Sequence, residues 1–169
     1  MTYGDGFAEV YDEWYGSITD AEATARFCGA RVQPGPVLEL GVGSGRLVAA
    51  FRAAGMSVLG VDASAAMLEL ATARHSTLPV IQADLEYLPL GRGMGGAVCA
   101  FNTLFNLPSA EAQQRFLVSV ADALTPKAPL VIEAMTGLAL SDGPTSSVGV
   151  SQLTSDRLVL SATVVDHAA

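Results

Sequence analysis

Short apolar runs and segments with helical periodicity alternate along the middle of the chain. The apolar runs are typical of buried strands and predict five of them, at residues 37–40, 57–62, 79–84, 96–101 and 129–135. Helical spacing of apolar residues predicts helices at residues 47–55, 63–75 and 109–125, the last with Ser109 as its N-cap. Strands that alternate with helices favour a parallel sheet covered on both faces. The predicted fold class is therefore α/β, with a doubly wound, mainly parallel sheet.

The two ends of the chain break this alternation. Before the first strand, an apolar stripe at residues 7–18 and a segment at about 19–29 predict two helices. After the fifth strand, a loop rich in Gly, Pro and Ser leads to two partly alternating runs around a turn at 154–156, which predict an antiparallel hairpin. We expect one domain, with the N-terminal helices and a ligand-binding α/β core in residues 1–135 and a loop and hairpin extension in residues 136–169.

The clearest chemical signal is the glycine-rich segment after the first strand, Gly41-Val-Gly43-Ser-Gly45. Glycines let a backbone turn sharply and approach a ligand closely, and the start of the next helix offers N–H groups to an anionic group. A plain strand-to-helix turn is the alternative, but three glycines in five residues exceed what a turn needs. The dinucleotide fingerprint fails, since Arg46 or Val48 stands where its last Gly or Ala belongs, and no P-loop lysine follows.

With Glu39 inside the strand, the segment has the form E-x-G-x-G-x-G. In this form it resembles the first motif of the class I S-adenosylmethionine-dependent methyltransferases, and the resemblance extends over about residues 7–135. It implies a Rossmann-like fold, S-adenosylmethionine as cofactor and S-adenosylhomocysteine as product. It also implies cofactor contacts for Gly41, Gly43 and Gly45. Glu39 would lie near the methionine end and orient the amino group and the loop, or would make a purely structural hydrogen bond to the loop.

The ends of the next two strands supply two acids. Asp62 ends the second strand, where a carboxylate can accept both ribose hydroxyls, in a nicotinamide enzyme as in a methyltransferase. The alternative is that Asp62 caps the helix that follows; Ala63 next to it is included in the predicted site. By the resemblance, Asp84 after the third strand contacts the adenine amine and Leu85 packs on the adenine ring. The alternative for Asp84 is a solvated loop acid.

The fourth strand runs into the segment FNTLFNLP, which corresponds to the family's fourth motif region. There the carboxyl edge of the strand meets methyl donor and acceptor. Phe101 and Asn102 are therefore predicted to contact the cofactor, while Thr103 and Asn106 could orient an acceptor. No acid–base pair or nucleophile–histidine arrangement is recognisable, so no catalytic residue is assigned.

The N-terminal stripe contains YDEWY, similar to the aromatic helix that small-molecule members of the family fold over the cofactor. Tyr11 is the preferred candidate for contact with cofactor and acceptor, and Tyr3 the next; simple packing also explains an aromatic stripe. Arg46 could reach the donor's carboxylate or be a solvated side chain. His75 lies near a helix C-terminus, where a cation is favourable, and is assigned no chemistry.

The net charge of the chain narrows the classes of molecule that it can be expected to bind. Nine basic against 17 acidic residues give a net charge of −8, which argues against nucleic acid and against anionic membrane surfaces. The N-terminus is unlike a signal peptide, and we expect a cytoplasmic protein. Cys28 and Cys99 are far apart and, with two histidines in the chain, show no metal-binding pattern. The segment FNTLFNLP lacks the Asn/Asp-Pro-Pro-Tyr/Phe motif of nucleic-acid amino-methylating enzymes, so a small-molecule acceptor is favoured.

The predicted function is in-line transfer of a methyl group to a nitrogen or oxygen atom of a small molecule. A non-catalytic S-adenosylmethionine-binding domain and an NAD(P)-dependent oxidoreductase are the alternatives. The family's complete sheet has seven strands. The hairpin is either the last two of them or an extra sheet on a truncated or abbreviated chain, and we expect the second. The exposed edge of the fifth strand would then be covered by the hairpin or by a second subunit in a homodimer.

Overall fold

The structure is a computed structural model that describes residues 20–135 and, as backbone only, residues 146–153 and 158–164. The chain divides into two compact units, residues 1–134 and 135–169. The predicted aromatic helix with Tyr3 and Tyr11, and the predicted turn at 154–156, lie outside the described residues. No helix in the described part of the chain has the length and hydropathy to cross a bilayer.

The described elements of the first unit follow one another in the predicted order. They are α1 (Ala21–Gly29), β1 (Val37–Leu40), α2 (Val48–Ala53), β2 (Val58–Asp62), α3 (Ala65–Arg74), β3 (Val80–Gln82), β4 (Gly96–Cys99), a 3-10 turn (Thr103–Asn106), α4 (Ala110–Ala123) and β5 (Leu130–Ile132). Ser109 is the N-cap of α4, as predicted, and accepts a hydrogen bond from the Ala112 N–H.

The five strands form an all-parallel sheet in the order β3-β2-β1-β4-β5. The chain runs outward from β1 to β3 and then returns to β4 on the other side of β1. The order therefore reverses between β1 and β4, and in open α/β sheets ligands bind at the carboxyl ends of the strands at such a point. The predicted doubly wound α/β fold is confirmed.

The sheet separates two apolar layers, and β1 is buried at every position. Val37 faces the layer formed with α1, α2 and α3, whereas Leu38 and Leu40 face the layer that contains α4. Burial on both faces explains why β1 is a continuous apolar run rather than an alternating one. Glu39 is the exception, a carboxyl group in a strand that is otherwise apolar.

Three strands end earlier than the sequence pattern predicts: β5 ends at Ile132 rather than 135, and the early ends of β3 and β4 change the setting of the site residues. β4 ends at Cys99, not at 101, because Phe101 and Asn102 adopt left-handed backbone angles (φ 53° and 63°) that stop the ladder. β3 ends at Gln82, so Asp84 lies in the loop beyond the strand.

The second unit contains β6 (Ser146–Leu153) and β7 (Leu158–Val164), which pair antiparallel in a two-stranded sheet of their own. Their register runs from Ser146 opposite Val164 to Leu153 opposite Leu158.

Candidate functional site

A cavity of about 510 Å³ lies at the carboxyl ends of the parallel strands, in the size range of small-molecule sites. Its lining comes from the ends of β1, β2, β3 and β4. The lining residues are Gly41, Gly43, Asp62, Ala63, Met67, Asp84, Leu85, Glu86, Phe101, Asn102, Thr103, Asn106, Leu107 and Pro108. The fold thus brings together nearly all the residues singled out from the sequence, including the two acceptor-side candidates, Thr103 and Asn106.

The glycine loop, residues 41–47, connects β1 to α2 and is held largely by its own backbone. Gly41 has φ +72°, and a Cβ there would overlap the Thr103 side chain. The N–H groups of Gly41 and Val42 donate to the Val61 carbonyl, and that of Gly43 donates to Asp62 Oδ2 at 2.9 Å. These three loop N–H groups therefore already have partners within the protein, whereas the N–H groups predicted to face an anion are those at the start of α2.

Gly45 occupies a different place from Gly41 and Gly43. It is absent from the cavity lining, and its N–H donates to the Val42 carbonyl. Its φ is +78°, and a Cβ would lie 2.9 Å from His75 Cδ2 and 3.4 Å from the Ala71 Cβ. Packing against α3, not ligand contact, accounts for glycine at this position.

Asp62, at the end of β2, accepts hydrogen bonds from the glycine loop and from the segment that leads into α3. Its Oδ2 accepts the hydrogen bond from Gly43, and its Oδ1 accepts one from the Ser64 N–H at 2.9 Å. The N-cap of α3 is Ser64, whose Oγ accepts from the Met67 N–H. The alternative role of Asp62 as helix cap thus falls to Ser64. Asp62 also lines the large cavity.

The loop after β3 is ordered by polar contacts. Asp84 Oδ1 accepts a hydrogen bond from the Glu86 N–H at 2.9 Å. The Glu86 carboxylate, in turn, lies 2.7 Å from both Nε and an Nη of Arg115 on α4. The Leu88 N–H donates to Ser119 Oγ on the same helix at 2.8 Å. Sequence reasoning missed Glu86, because its partner Arg115 is 29 residues away and leaves no local spacing signal.

Phe101 and Asn102 lie in consecutive left-handed conformations where the chain leaves β4. Such backbone is costly for residues other than glycine, and it concentrates at functional sites. The Asn102 N–H donates to the Glu133 carbonyl at 3.1 Å, which fixes the turn. In the 3-10 turn that follows, Thr103 Oγ1 donates to the Ala100 carbonyl at 2.8 Å.

Glu39 is 4% exposed, and its Oε2 has no hydrogen-bond partner among the described residues. It borders a smaller cavity of about 30 Å³ that is also lined by Gly41, Gly43 and Arg46. Burial raises the pKa of Glu39 to about 8; the nearby Arg46 opposes this rise and Asp62 adds to it. No structural hydrogen bond from this oxygen to the loop is present, so that alternative is not supported for Oε2.

Arg46 is half-buried, and its guanidinium carbon lies 5.3 Å from the centroid of the Phe101 ring. Together with its place in the smaller cavity, this contact removes the interpretation of Arg46 as a fully solvated side chain.

The charged side chains that line the large cavity are acidic. Asp62, Asp84 and Glu86 line it, and its described lining contains no Lys or Arg. Such a surface favours a cationic ligand and disfavours a pyrophosphate. A nicotinamide dinucleotide would also need loop N–H groups, and those of Gly41 and Gly43 are already engaged.

Comparison with protein families adds a direct match. A profile described as a methyltransferase domain matches residues 37–127, which include β1 and the strand ends that line the cavity. The chain belongs to the methyltransferase domain family. The match confirms the predicted class I S-adenosylmethionine-dependent methyltransferase family, whose cofactor is S-adenosylmethionine.

Solved methyltransferases share the fold. The CcbJ methyltransferase from Streptomyces caelestis is 29% identical, with TM-score 0.86 over 98% of this chain and 70% of that one. The sugar N-methyltransferase KedS8 from Streptoalloteichus sp. is 26% identical, with TM-score 0.74 over 95% and 67% of the two chains. CalS10, an amino pentose methyltransferase from Micromonospora echinaspora solved with S-adenosylmethionine, is 22% identical, with TM-score 0.64 over 81% and 56%. A search of curated proteins gives no match.

The residues present fit this cofactor. S-adenosylmethionine carries a cationic sulfonium and an ammonium group, and the cavity lining is acidic. The buried, unpartnered Oε2 of Glu39 supplies an acceptor next to the glycine loop. Gly41 has no side chain between the loop and the Thr103 turn, which keeps the cavity open there.

Proposed function

We propose that the chain transfers the methyl group of S-adenosylmethionine to a nitrogen or oxygen atom of a small-molecule acceptor in the large cavity. The observation that carries this proposal is the convergence of acids and glycines from three strand ends, with Phe101 to Thr103 from a fourth, on one cavity without basic lining residues in the described chain. An amine is the first acceptor to test, since KedS8 is a sugar N-methyltransferase and CalS10 an amino pentose methyltransferase.

The large cavity and the smaller cavity beside it together have residues suited to each part of the cofactor. Asp62 would accept the ribose hydroxyls, because its carboxylate lines the cavity at the carboxyl end of β2. Asp84 would accept from the adenine amine, with Leu85 against the ring. Glu39 would receive the ammonium group of the methionine part, which gives its buried Oε2 a partner.

When bound, S-adenosylmethionine supplies a methyl group already activated by the sulfonium. The protein then has to position the acceptor and exclude water. The Thr103 hydroxyl donates its one hydrogen bond to the Ala100 carbonyl. Toward the cavity, its oxygen can therefore only accept a hydrogen bond. That suits an acceptor that still carries an N–H or O–H, which Thr103 would orient together with Asn106. A neutral amine needs no strong base on the protein.

Titration calorimetry with S-adenosylmethionine, S-adenosylhomocysteine, NAD and NADP tests the cofactor site. We expect binding of the first two only, and at 100-fold its Kd the ligand stabilises the fold by about 2.7 kcal/mol. Transfer of a labelled methyl group to a panel of amino sugars, other amines and phenols then tests catalysis. Tight binding without transfer to any acceptor would favour the non-catalytic binding domain, and binding of NAD alone would overturn the proposal.

A further inference from the structure

The C-terminal end of α3 contacts the glycine loop at two consecutive carbonyls. One Nη of Arg74 donates to the Ser44 carbonyl at 3.2 Å and lies 3.3 Å from Ser44 Oγ. His75 Nε2 lies 2.9 Å from the Gly45 carbonyl, and because a carbonyl only accepts, this nitrogen carries the proton. Two neighbouring side chains of the helix thus hold two neighbouring peptides, 30 residues away in sequence.

The conformation of the glycine loop depends on contacts of this kind. Three of its residues have left-handed glycine conformations, and glycine loses more conformational freedom on ordering than any other residue. Ser44 is 1% exposed, so its polar groups cannot turn to water. Next to it, the His75 ring fills the space beside the Gly45 Cα. α3 therefore fixes both the hydrogen bonding and the packing of this part of the loop.

The opposite side of the loop belongs to the binding site. Gly43 lines both cavities, and Ser44 and Arg46 line the smaller one together with Glu39. In a trans peptide the C=O and N–H groups point in opposite directions, so a carbonyl held on one side sets the direction of the next N–H. Through His75, α3 thereby sets the direction of the Arg46 N–H, whereas the N–H that follows the Ser44 carbonyl is that of Gly45 and donates to the Val42 carbonyl within the loop.

We propose that Arg74 and His75 are positioning residues, which we call the α3 latch, that hold the glycine loop in the conformation that binds the methionine end of S-adenosylmethionine. This inference rests on the proposed function. It predicts that loss of the latch weakens cofactor affinity while the methyl-transfer step at saturating cofactor is unchanged, since neither residue lines either of the two cavities described above.

The test compares Arg74→Met, His75→Ala and His75→Gln in the full chain. Calorimetry gives the Kd for S-adenosylhomocysteine, and initial rates give KM for S-adenosylmethionine and kcat. We expect Arg74→Met and His75→Ala each to raise Kd and KM by about tenfold, the loss of one buried or charge-assisted hydrogen bond. We expect kcat close to that of the wild type. His75→Gln keeps an N–H donor and should recover much of the affinity.

Arg26→Met is the matched control, because Arg26 pairs with Glu22 at 3.8 Å on the exposed face of α1, and the substitution should leave the Kd unchanged. Wild-type protein that binds no S-adenosylhomocysteine would refute the proposed function itself. If the wild type binds and the Kd is unchanged in Arg74→Met and His75→Ala, the latch is refuted and the proposed function is not. A lower Tm of these two variants without a change in Kd would refute the latch in the same way. Should His75→Ala fail to fold, Arg74→Met decides, because the Arg74 side chain is exposed.

Discussion

The glycine loop and the loop after β3 border the same cavity, but different kinds of contact hold them. The glycine loop is fixed by backbone hydrogen bonds and by buried groups such as Ser44, with Gly45 packed directly on α3. The loop after β3 is attached to α4 by an ion pair between Glu86 and Arg115 and by one hydrogen bond from the Leu88 N–H to Ser119. The Glu86 side chain is 12% exposed and the Arg115 side chain is 47% exposed. Buried contacts are costly to break and surface ion pairs are not, so the two ends should respond very differently to substitution.

The largest effect is expected for Gly41→Ala at the glycine-loop end. The added methyl group would overlap Thr103 and would impose a side chain on a residue with φ +72°. We expect unfolding free energy to fall by about 3 kcal/mol or more and S-adenosylhomocysteine binding to be lost. Urea unfolding and calorimetry measure the two effects.

Gly55→Ala is the control for this variant. Gly55 has φ +82° but nothing lies within 4 Å of the position its Cβ would take. It should cost only about 1 kcal/mol, the backbone contribution alone, and leave binding intact. Equal losses in the two variants would show that the contact with Thr103 does not matter.

Glu39→Gln should remove a pH dependence of stability. Burial raises the pKa of Glu39 from the ordinary 4.5 to about 8, so the folded state prefers the protonated carboxyl group. The resulting stability is fully present below the unfolded-state pKa and is lost as the pH rises from about 4.5 through 8. Without cofactor, wild-type unfolding free energy should fall across this window by on the order of a few kcal/mol more than that of Glu39→Gln.

Urea titrations at several pH values between 5 and 8 measure this difference. Parallel pH profiles for the two proteins would mean that Glu39 is already ionised within the fold. Glu111→Gln is a suitable control, since Glu111 is exposed at the start of α4 and its pKa is lowered by a hydrogen bond with Ser109.

Asp62→Asn should have an intermediate effect. Asp62 accepts from the N–H groups of both Gly43 and Ser64, and an amide can offer its oxygen to only one of them. Loss of one acceptor next to the ligand should weaken S-adenosylhomocysteine by about 1–3 kcal/mol. Asp122→Asn serves as the matched comparison, because Asp122 is exposed on α4 and does not line the cavity. An unchanged Kd in Asp62→Asn would place the ribose elsewhere.

The features predicted from the sequence are those with a local cause. Gly41, Gly43 and Asp62 lie at strand ends, where a short apolar run and the glycines beside it mark the edge of the sheet. The contacts between distant segments had no such signal. His75 was assigned no role, because only the folded chain brings it to Gly45, and Phe101 and Asn102 adopt left-handed backbone without a glycine to indicate it. The role of Tyr11 stays a prediction.

The smallest effect is expected at the other end of the cavity, for Arg115→Met. This substitution removes the contact with Glu86 but leaves the hydrogen bonds of Asp84 with Glu86 and of Ser119 with Leu88 in place. Because exposed ion pairs contribute little, the Kd for S-adenosylhomocysteine should rise only about two- to fivefold. The effect should shrink at high salt, which screens the pair in the wild type. Calorimetry at low and high salt, with Arg26→Met as control, measures it. A loss as large as that of the α3 latch variants would mean that the two ends of the cavity are held equally firmly.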